Sequence, residues 1–489
     1  MSGLAIMLAG AMMVGTAASG GGMTAQAAET ESSDTVSTQK AVTSDAASLL
    51  FTEKHITSDL TLPAIGASGT TISWKSSNPS VLSNEGKVTR PKKGAADEEV
   101  TLKGTVKMGD YAKARKFAFV VLAESEMGPT KEFALDQVEL LDDYYLTAQN
   151  SDIEFLKKFD NDRLLSRFRE TAGLDTKKIA PYGGWEDGWL GGHSVGHYLT
   201  AIAQAVKATG NADLKEKSKQ LIKGLAECQN KLGTGFIFGA KIETEGYVEK
   251  QFDILEGKTT GSTWVPWYNM HKMLTGLVDT YKYTGNKQAL EVAKKLGDWI
   301  YNRVSKWDAG TQGRVLGTEY GGMNDCLYEL YLCTRDSKHL EAAHKFDQPN
   351  LYKTVAKGGK NCLNGKHANT TIPKFLGALK RYVVLEQTGE LTKDDEAYLT
   401  NVEKFFDIAV TRHAYITGGV SVMEHFRKDN NQDGTRTQTN CESCCAHNML
   451  KMAKELYKVT GDKKYADYYE TTLRNSIMGA VKSESGAAA

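Results

Sequence analysis

The chain has 489 residues, 40% hydrophobic and 25% charged, which supplies a sizeable core and exceeds one ordinary domain. Its 60 basic and 60 acidic residues cancel, so no global field draws it to nucleic acid or an anionic membrane, and a neutral polymer or small glycan suits it better. Its seven cysteines are odd in number, and Cys228, Cys326, Cys333 and Cys362 are scattered through helix-like sequence, which argues against a disulfide scaffold.

In chain order, the apolar run Leu4 to Ala18 with Ala25-Gln26-Ala27 after it reads as a signal peptide over 1–28. The run is too short and interrupted for a membrane anchor. A secreted or cell-surface protein is expected, with no membrane insertion after the signal is removed. The missing Lys/Arg at the start points to a late start codon or a clipped beginning. A Ser/Thr-rich linker is expected over 29–44. Residues 45–124 alternate in short β-branched or aromatic runs broken by Asn-Pro, Glu-Gly and Gly-Asp turns, the pattern of a small β-sandwich with Trp74 in its core. Ser73 to Pro79, SWKSSNP, resembles the bacterial immunoglobulin-like modules of secreted carbohydrate-active enzymes. No stacked aromatic face is evident, so a spacer role is expected before glycan binding.

From about Gly128 the pattern turns helical. A turn recurs at Thr209-Gly210-Asn211, Thr284-Gly285-Asn286, Thr334-Arg335-Asp336, Thr388-Gly389-Glu390 and Thr460-Gly461-Asp462. Where glycine is present it can end one helix, and the polar residue after it can start the next. Gln288 to Val304 has apolar residues at helical spacing. Recurring helix pairs mean a solenoid or a closed toroid. The uneven intervals between turns favour a toroid over 128–489.

In a toroid the loops of one rim carry the site, and the unusual residues fall in loops or helix starts. The first cluster holds Gly183-Gly184-Trp185-Glu186 and the stretch Gly191 to Tyr198, whose His193 and His197 share a helix face. They lack the intervening acid of H-E-x-x-H, which favours sugar contact over metal, with a core role for His193 equally open. The second cluster, Trp264 to Lys272, offers Trp267 and Tyr268 as stacking rings and His271 for hydroxyls, with Trp264 assigned to the core. Glu319 to Asp325 contributes Asn324, and His367 to Lys374 contributes His367 and Asn369.

The most unusual stretch is Ile416 to Lys451. Glu424 follows Gly418-Gly419, whose backbone can turn tightly into a pocket, and is a candidate acid/base. Cys441, Glu442, Cys444 and Cys445 are either part of a zinc site or small buried groups at a helix start. In an exported protein such thiols oxidise unless metal holds them, which mildly favours zinc.

Together, EHF at Glu424 to Phe426, CESCCAHNMLK from Cys441 and the four clusters resemble the β-L-arabinofuranosidase group, glycoside hydrolase families 127 and 146. The resemblance runs from about Glu132 to Glu484. It implies an (α/α)6 barrel, an arabinose-containing glycan as substrate, Glu424 as acid/base, and Glu442 and Cys444 as ligands of Zn2+. It also implies retaining hydrolysis by a zinc-bound cysteine thiolate. The family's later Cys-Cys pair, which supplies the nucleophile, has no counterpart after Cys445. The resemblance therefore implies a C-terminally truncated, inactive copy with an incomplete zinc site. Two readings compete with it. One is a metal-free toroid hydrolase with a carboxylate pair, Glu424 with Asp325 or Glu319. The other is an inactive carbohydrate-binding surface protein.

Overall fold

The computed structural model describes residues 33–480 apart from 52–53, 58, 93–94, 124–129, 187, 241–246 and 438. The signal-peptide residues lie outside this range. The chain divides into two compact units, Met1–Glu124 and Ser125–Ala489.

The first unit opens with helix α1 (Ser33–Ser48), where a linker was expected over 29–44. Val42, Ala46 and Leu49 are buried with Ile72 and Val106, and their spacing of four and three residues gives the helix one apolar stripe. The strands β1 (His55–Ile56), β2 (Thr71–Ser76), β3 (Glu98–Met108) and β4 (Tyr111–Val121) form a sheet of order β1-β4-β3-β2. A second core of Ile56, Leu82, Val100, Leu102, Phe119 and Val121 lies apart from the α1 cluster. Trp74 touches both clusters. It faces Gly104 across the β2–β3 ladder, where a Cβ would come within 2.7 Å of its ring.

The second unit is a mainly helical toroid, with six helix pairs among its described residues. In chain order these are α2 (Asp143–Lys157) with α3 (Asn161–Thr171), and α4 (His193–Thr209) with α5 (Ala212–Leu232). After short α6 (Lys250–Leu255) come α7 (Pro266–Thr284) with α8 (Lys287–Val304). After α9 (Ala309–Leu316) come α10 (Met323–Thr334) with α11 (Ser337–His344). After α12 (Pro349–Ala356) come α13 (Ala368–Thr388) with α14 (Glu396–His413). After α15 (Gln432–Thr435) come α16 (Ser443–Thr460) with α17 (Lys463–Thr472). The first helices of the pairs pack on one another from α2 through α4, α7, α10 and α13 to α16 and form the inner ring. Tyr145 on α2 accepts a hydrogen bond from Arg474, just after α17, at 3.2 Å, which ties the chain ends of the ring together.

The recurrent turns join the inner helices α4, α7, α10, α13 and α16 to their outer partners at the rim opposite the site. Gly210, Gly285, Gly389 and Gly461 adopt φ of 67–75°, the left-handed cap that glycine tolerates best. Arg335 takes the same conformation at φ 56°. Asn211, Asn286, Asp336 and Asp462 then cap the next helix with their side chains. Glu390 does not cap one, and instead accepts from the Tyr331 hydroxyl at 2.6 Å.

Two glycines set the closest helix crossing. A Cβ on Gly196 of α4 would lie 2.1 Å from the Lys272 carbonyl, and one on Gly276 of α7 would lie 2.5 Å from the Gly196 carbonyl. Toward the C-terminal ends of the inner helices, Glu329 of α10 receives Lys282 of α7 at 2.5 Å and Lys380 of α13 at 2.6 Å. Glu455 of α16 lies 3.9 Å from Lys380. The buried members of this group, Lys380 and Glu455, thus keep charged partners.

Candidate active site

The inner helices carry the sequence clusters at their N-terminal ends, where the His193 ring lies 6.1 Å from that of Tyr268 and Glu319, Cys444 and Glu442 act electrostatically on Tyr268. On α4, His193 Nδ1 lies 2.7 Å from the Leu190 carbonyl and 2.9 Å from Glu186 Oε1. Both neighbours are acceptors, so Nδ1 carries the proton and Nε2 presents a lone pair. Glu186, which belongs to the first sequence cluster but was expected to have no role, also accepts the Gly192 and Ser194 amides at 2.6 and 2.9 Å. Burial raises its pKa, but the hydrogen bonds from His193, Gly192 and Ser194 outweigh that and hold it below the ordinary value.

Solvent reaches His197 of α4 and His447 of α16, yet both are walled in. Enclosure first, then the ammonium groups of Lys272 and Lys451, hold His197 well below its ordinary pKa. Enclosure, then Lys451, Lys272 and Lys454, hold His447 at about 4. His447 was not among the expected site residues. Cys444, His447 and Lys451 recur at i, i+3 and i+7 on α16, a spacing that could have found it.

On α7, Tyr268 is half-buried with Lys272 Nζ 4.7 Å above its ring. Burial, then the charges of Glu319, Cys444 and Glu442, push its hydroxyl pKa up. Lys272 is pushed down to about 8 by burial and then by Lys451. His271 accepts the Gly322 amide at Nδ1 at 3.0 Å. The glycine pair is required there, because Cβ atoms on Gly321 and Gly322 would lie 2.5 and 3.0 Å from the His271 ring nitrogens.

Two expected sugar contacts are core groups instead. Trp267 is 0% exposed, packed between Phe252, Trp299, Trp307 and Phe346. The exposed ring of that segment is Trp264, at 49%, so the expected assignment of the two is reversed. Pro266 begins α7 and Trp267 follows it, which turns the second ring into the helical layer. Asn324 is 0% exposed and donates to Asp347 at 3.0 Å and to the Tyr352 hydroxyl at 3.3 Å, which ties α10 to α12 and the chain just before it. His271, at 6%, sits directly beneath the rim.

His367 is the N-cap of α13, its Nδ1 accepting the Thr370 amide at 3.1 Å. That leaves the proton on Nε2, which faces Glu424 Oε2 at 3.3 Å. Asn369 is half-buried in the first turn of the same helix. The loop carrying Glu424 is stitched to this helix start: the Ala368 amide donates to the Glu424 carbonyl at 2.7 Å and the Phe426 amide to the Lys366 carbonyl at 2.9 Å. On its other side, the Met423 amide donates to Thr439 at 2.8 Å and the Cys441 amide to Ser421 at 3.1 Å. Ser421, Met423, Glu424 and Cys441 all adopt positive φ. Strain of this kind persists only where surroundings enforce it and gathers at functional sites. Gly418 and Gly419 allow the approach, since their Cβ atoms would meet Thr472 Oγ1 at 2.0 Å and Cys441 Cβ at 2.5 Å.

At the start of α16, Glu442 Oε1 contacts Cys444 Sγ, and Glu442 Oε2 lies 3.6 Å from Cys445 Sγ. A carboxylate with thiols suits zinc. Contact with Cys444, then burial, pushes the Cys445 thiol well up. Among the described residues, the group of three donors mutually within 4.8 Å lies elsewhere, at Asp298, Asp336 and His339. The four-coordinate zinc site implied by the resemblance is thus not assembled by these described residues. No helix among the described residues is long and apolar enough to cross a membrane.

Residues 137–489 match the family described as beta-L-arabinofuranosidase, GH127 catalytic domain, and residues 31–124 match the atrophied bacterial Ig domain. A search of curated proteins returns no match. Among solved structures, a GH127 beta-arabinofuranosidase is similar at 18% identity and TM-score 0.53, over 74% of this chain and 56% of that one. A GH127 beta-L-arabinofuranosidase from Geobacillus stearothermophilus T6 is similar at 16% identity and TM-score 0.47, over 72% and 55%. The chain spans little more than half the length of these proteins, and at such identities the likeness is one of fold.

Proposed function

This chain belongs to the GH127 β-L-arabinofuranosidase catalytic-domain family, and from that premise we propose that its cleft hydrolyses a glycosidic bond in an arabinose-containing glycan, with Glu424 as general acid/base. One observation carries the reading: Glu424 sits on a left-handed backbone, its side chain 56% exposed, with His367 Nε2 at 3.3 Å. The His367 N–H occupies Oε2, so Oε1 is the oxygen that hands a proton to the leaving group and later takes one from water. The Nε2 lone pair of His193, with His197, Tyr268 and Asn369, serves the sugar hydroxyls.

For the second catalytic group, this chain's own residues favour a carboxylate, Glu319. Asp325, the other candidate, is 4% exposed and bound to Lys451 at 3.2 Å. Glu319 is half-buried and acts electrostatically on Tyr268, Lys272 and Lys374. The alternative is attack by a cysteine thiolate with Glu442 and Cys444 holding zinc, favoured by the contacts of Glu442 with both thiols. The apolar leader supports placing the protein outside the cell.

Hydrolysis of aryl β-L-arabinofuranosides by Glu319→Gln and Cys444→Ser variants, with zinc content measured in parallel, separates the two. A loss of about 100-fold or more in the first with little change in the second supports the carboxylate pair. The reverse, with bound zinc, supports the thiolate. Glycan binding without turnover by the wild-type protein defeats both and leaves a carbohydrate-binding protein.

A further inference from the structure

The outer layer holds a second cluster of donors, away from the cleft. His339, on the first turn of α11, is 0% exposed and packs against Gly297 of α8, where a Cβ would come within 2.7 Å of its ring. Its Nδ1 lies 2.7 Å from Thr334 Oγ1. The Thr334 hydroxyl spends its own proton on the Leu330 carbonyl at 3.0 Å, so it accepts from His339, whose Nδ1 is therefore the protonated nitrogen. Nε2 is buried and makes no well-aligned hydrogen bond, with the Lys294 carbonyl close to the ring. It faces Asp298 Oδ1 at 3.8 Å, an oxygen that also lacks a hydrogen-bond partner. Two acceptors turned toward each other favour a cation beside them, and the exposed Lys338 ammonium, 3.6 Å from the same oxygen, supplies one from outside. The carboxylate of Asp336, the N-cap of α11, completes a trio of donor atoms within 4.8 Å of one another. The Lys294 carbonyl, one turn earlier on α8, adds an oxygen near the imidazole.

We propose that Asp298, Asp336 and His339 form a divalent transition-metal site that clamps outer helix α8 to outer helix α11. One imidazole nitrogen and two carboxylates suit zinc, cobalt or manganese. The hydrogen bond from Nδ1 to Thr334 is the outer-shell contact that metal-bound histidines commonly make. Asp298 is 43% exposed at its side chain, so the remaining coordination positions are open to water. Lys338 Nζ, 3.6 Å from Asp298 Oδ1 and 50% exposed, is free to swing out when a cation enters. This site shares no residue with Glu442 and Cys444.

The test is titration of the metal-stripped full chain with Co2+, read by visible absorption and by thermal melting, followed by displacement with Zn2+. One equivalent bound without thiolate-to-cobalt charge transfer, accompanied by a rise in melting temperature, is expected. It should persist in Cys444→Ser and weaken at least tenfold in Asp298→Asn, a substitution at an exposed position that leaves the metal-free melting curve as it was. His339→Gln should lose it as well. If wild type takes up no Co2+ saturably, His339 is an ordinary core histidine in its other tautomer and the proposal fails. It fails equally if Asp298→Asn binds as tightly as wild type, or if Cys444→Ser abolishes all uptake.

Discussion

Glu186 Oε1 and His193 Nδ1 lie 2.9 Å apart, and the one carboxylate both pairs amides at the start of helix α4 and orients the imidazole. Glu186 satisfies two amides at the helix start, which would otherwise be unpaired. Glu186→Gln offers one acceptor in place of two and should destabilise the fold by about 1–3 kcal/mol. It should also raise KM for a sugar substrate by about tenfold while kcat changes little, because one of the two acceptors that orient the His193 ring is weakened. An unchanged KM would remove His193 from the binding surface.

The same carboxylate predicts a pH dependence. Its folded pKa is depressed below the ordinary 4.5, so its contribution is present above that value and lost as pH falls through the lower folded value. Denaturation curves of wild type and Glu186→Gln should therefore converge in acid, with the gap between them fully open at neutral pH. A constant gap at all pH values would mean that Glu186 is already protonated in the fold.

Lys272 predicts the opposite limb. Its folded pKa is about 8 against an ordinary 10.5, so between these values the unfolded chain binds the proton and the folded chain does not. Stability therefore gains from this group as pH rises across that window. Relative to Lys272→Met, the wild-type protein should become more stable from pH 8 to 10.5; parallel profiles would contradict the burial of an unpaired ammonium.

The two tryptophans of one segment should separate core from rim. Trp267→Ala should cost about 3–5 kcal/mol, since it empties the middle of an aromatic cluster. Trp264→Ala, at an exposed ring, should leave melting unchanged within about 0.5 kcal/mol.

The toroid was legible because its signals are local. Each Thr-Gly-Asn or Thr-Arg-Asp turn carries its own cap chemistry, and helical spacing marks what lies between. The four clusters were legible as a set for the same reason, since each opens an inner helix. What failed was the facing of individual side chains. Trp264 and Trp267 differ only in which side of the α7 start they occupy, and Asn324 finds Asp347 only once α12 has folded back. Glu186 was visible in Gly-Gly-Trp-Glu, but its role depends on a chain reversal that returns Gly192 to it. The expected linker became α1 because Val42, Ala46 and Leu49 form a stripe inside a Ser/Thr-rich composition that hides it.

The account stands most directly on Glu424, and leaving-group dependence is the measurement that reaches it. Hydrolysis of a series of aryl β-L-arabinofuranosides by the wild-type protein and Glu424→Gln should show a loss of about 100-fold or more on poor leaving groups, and a much smaller loss on activated ones that need no proton. Equal, small losses across the series would show that Glu424 does not deliver the proton, and that the strained loop at residues 421–424 serves the fold alone.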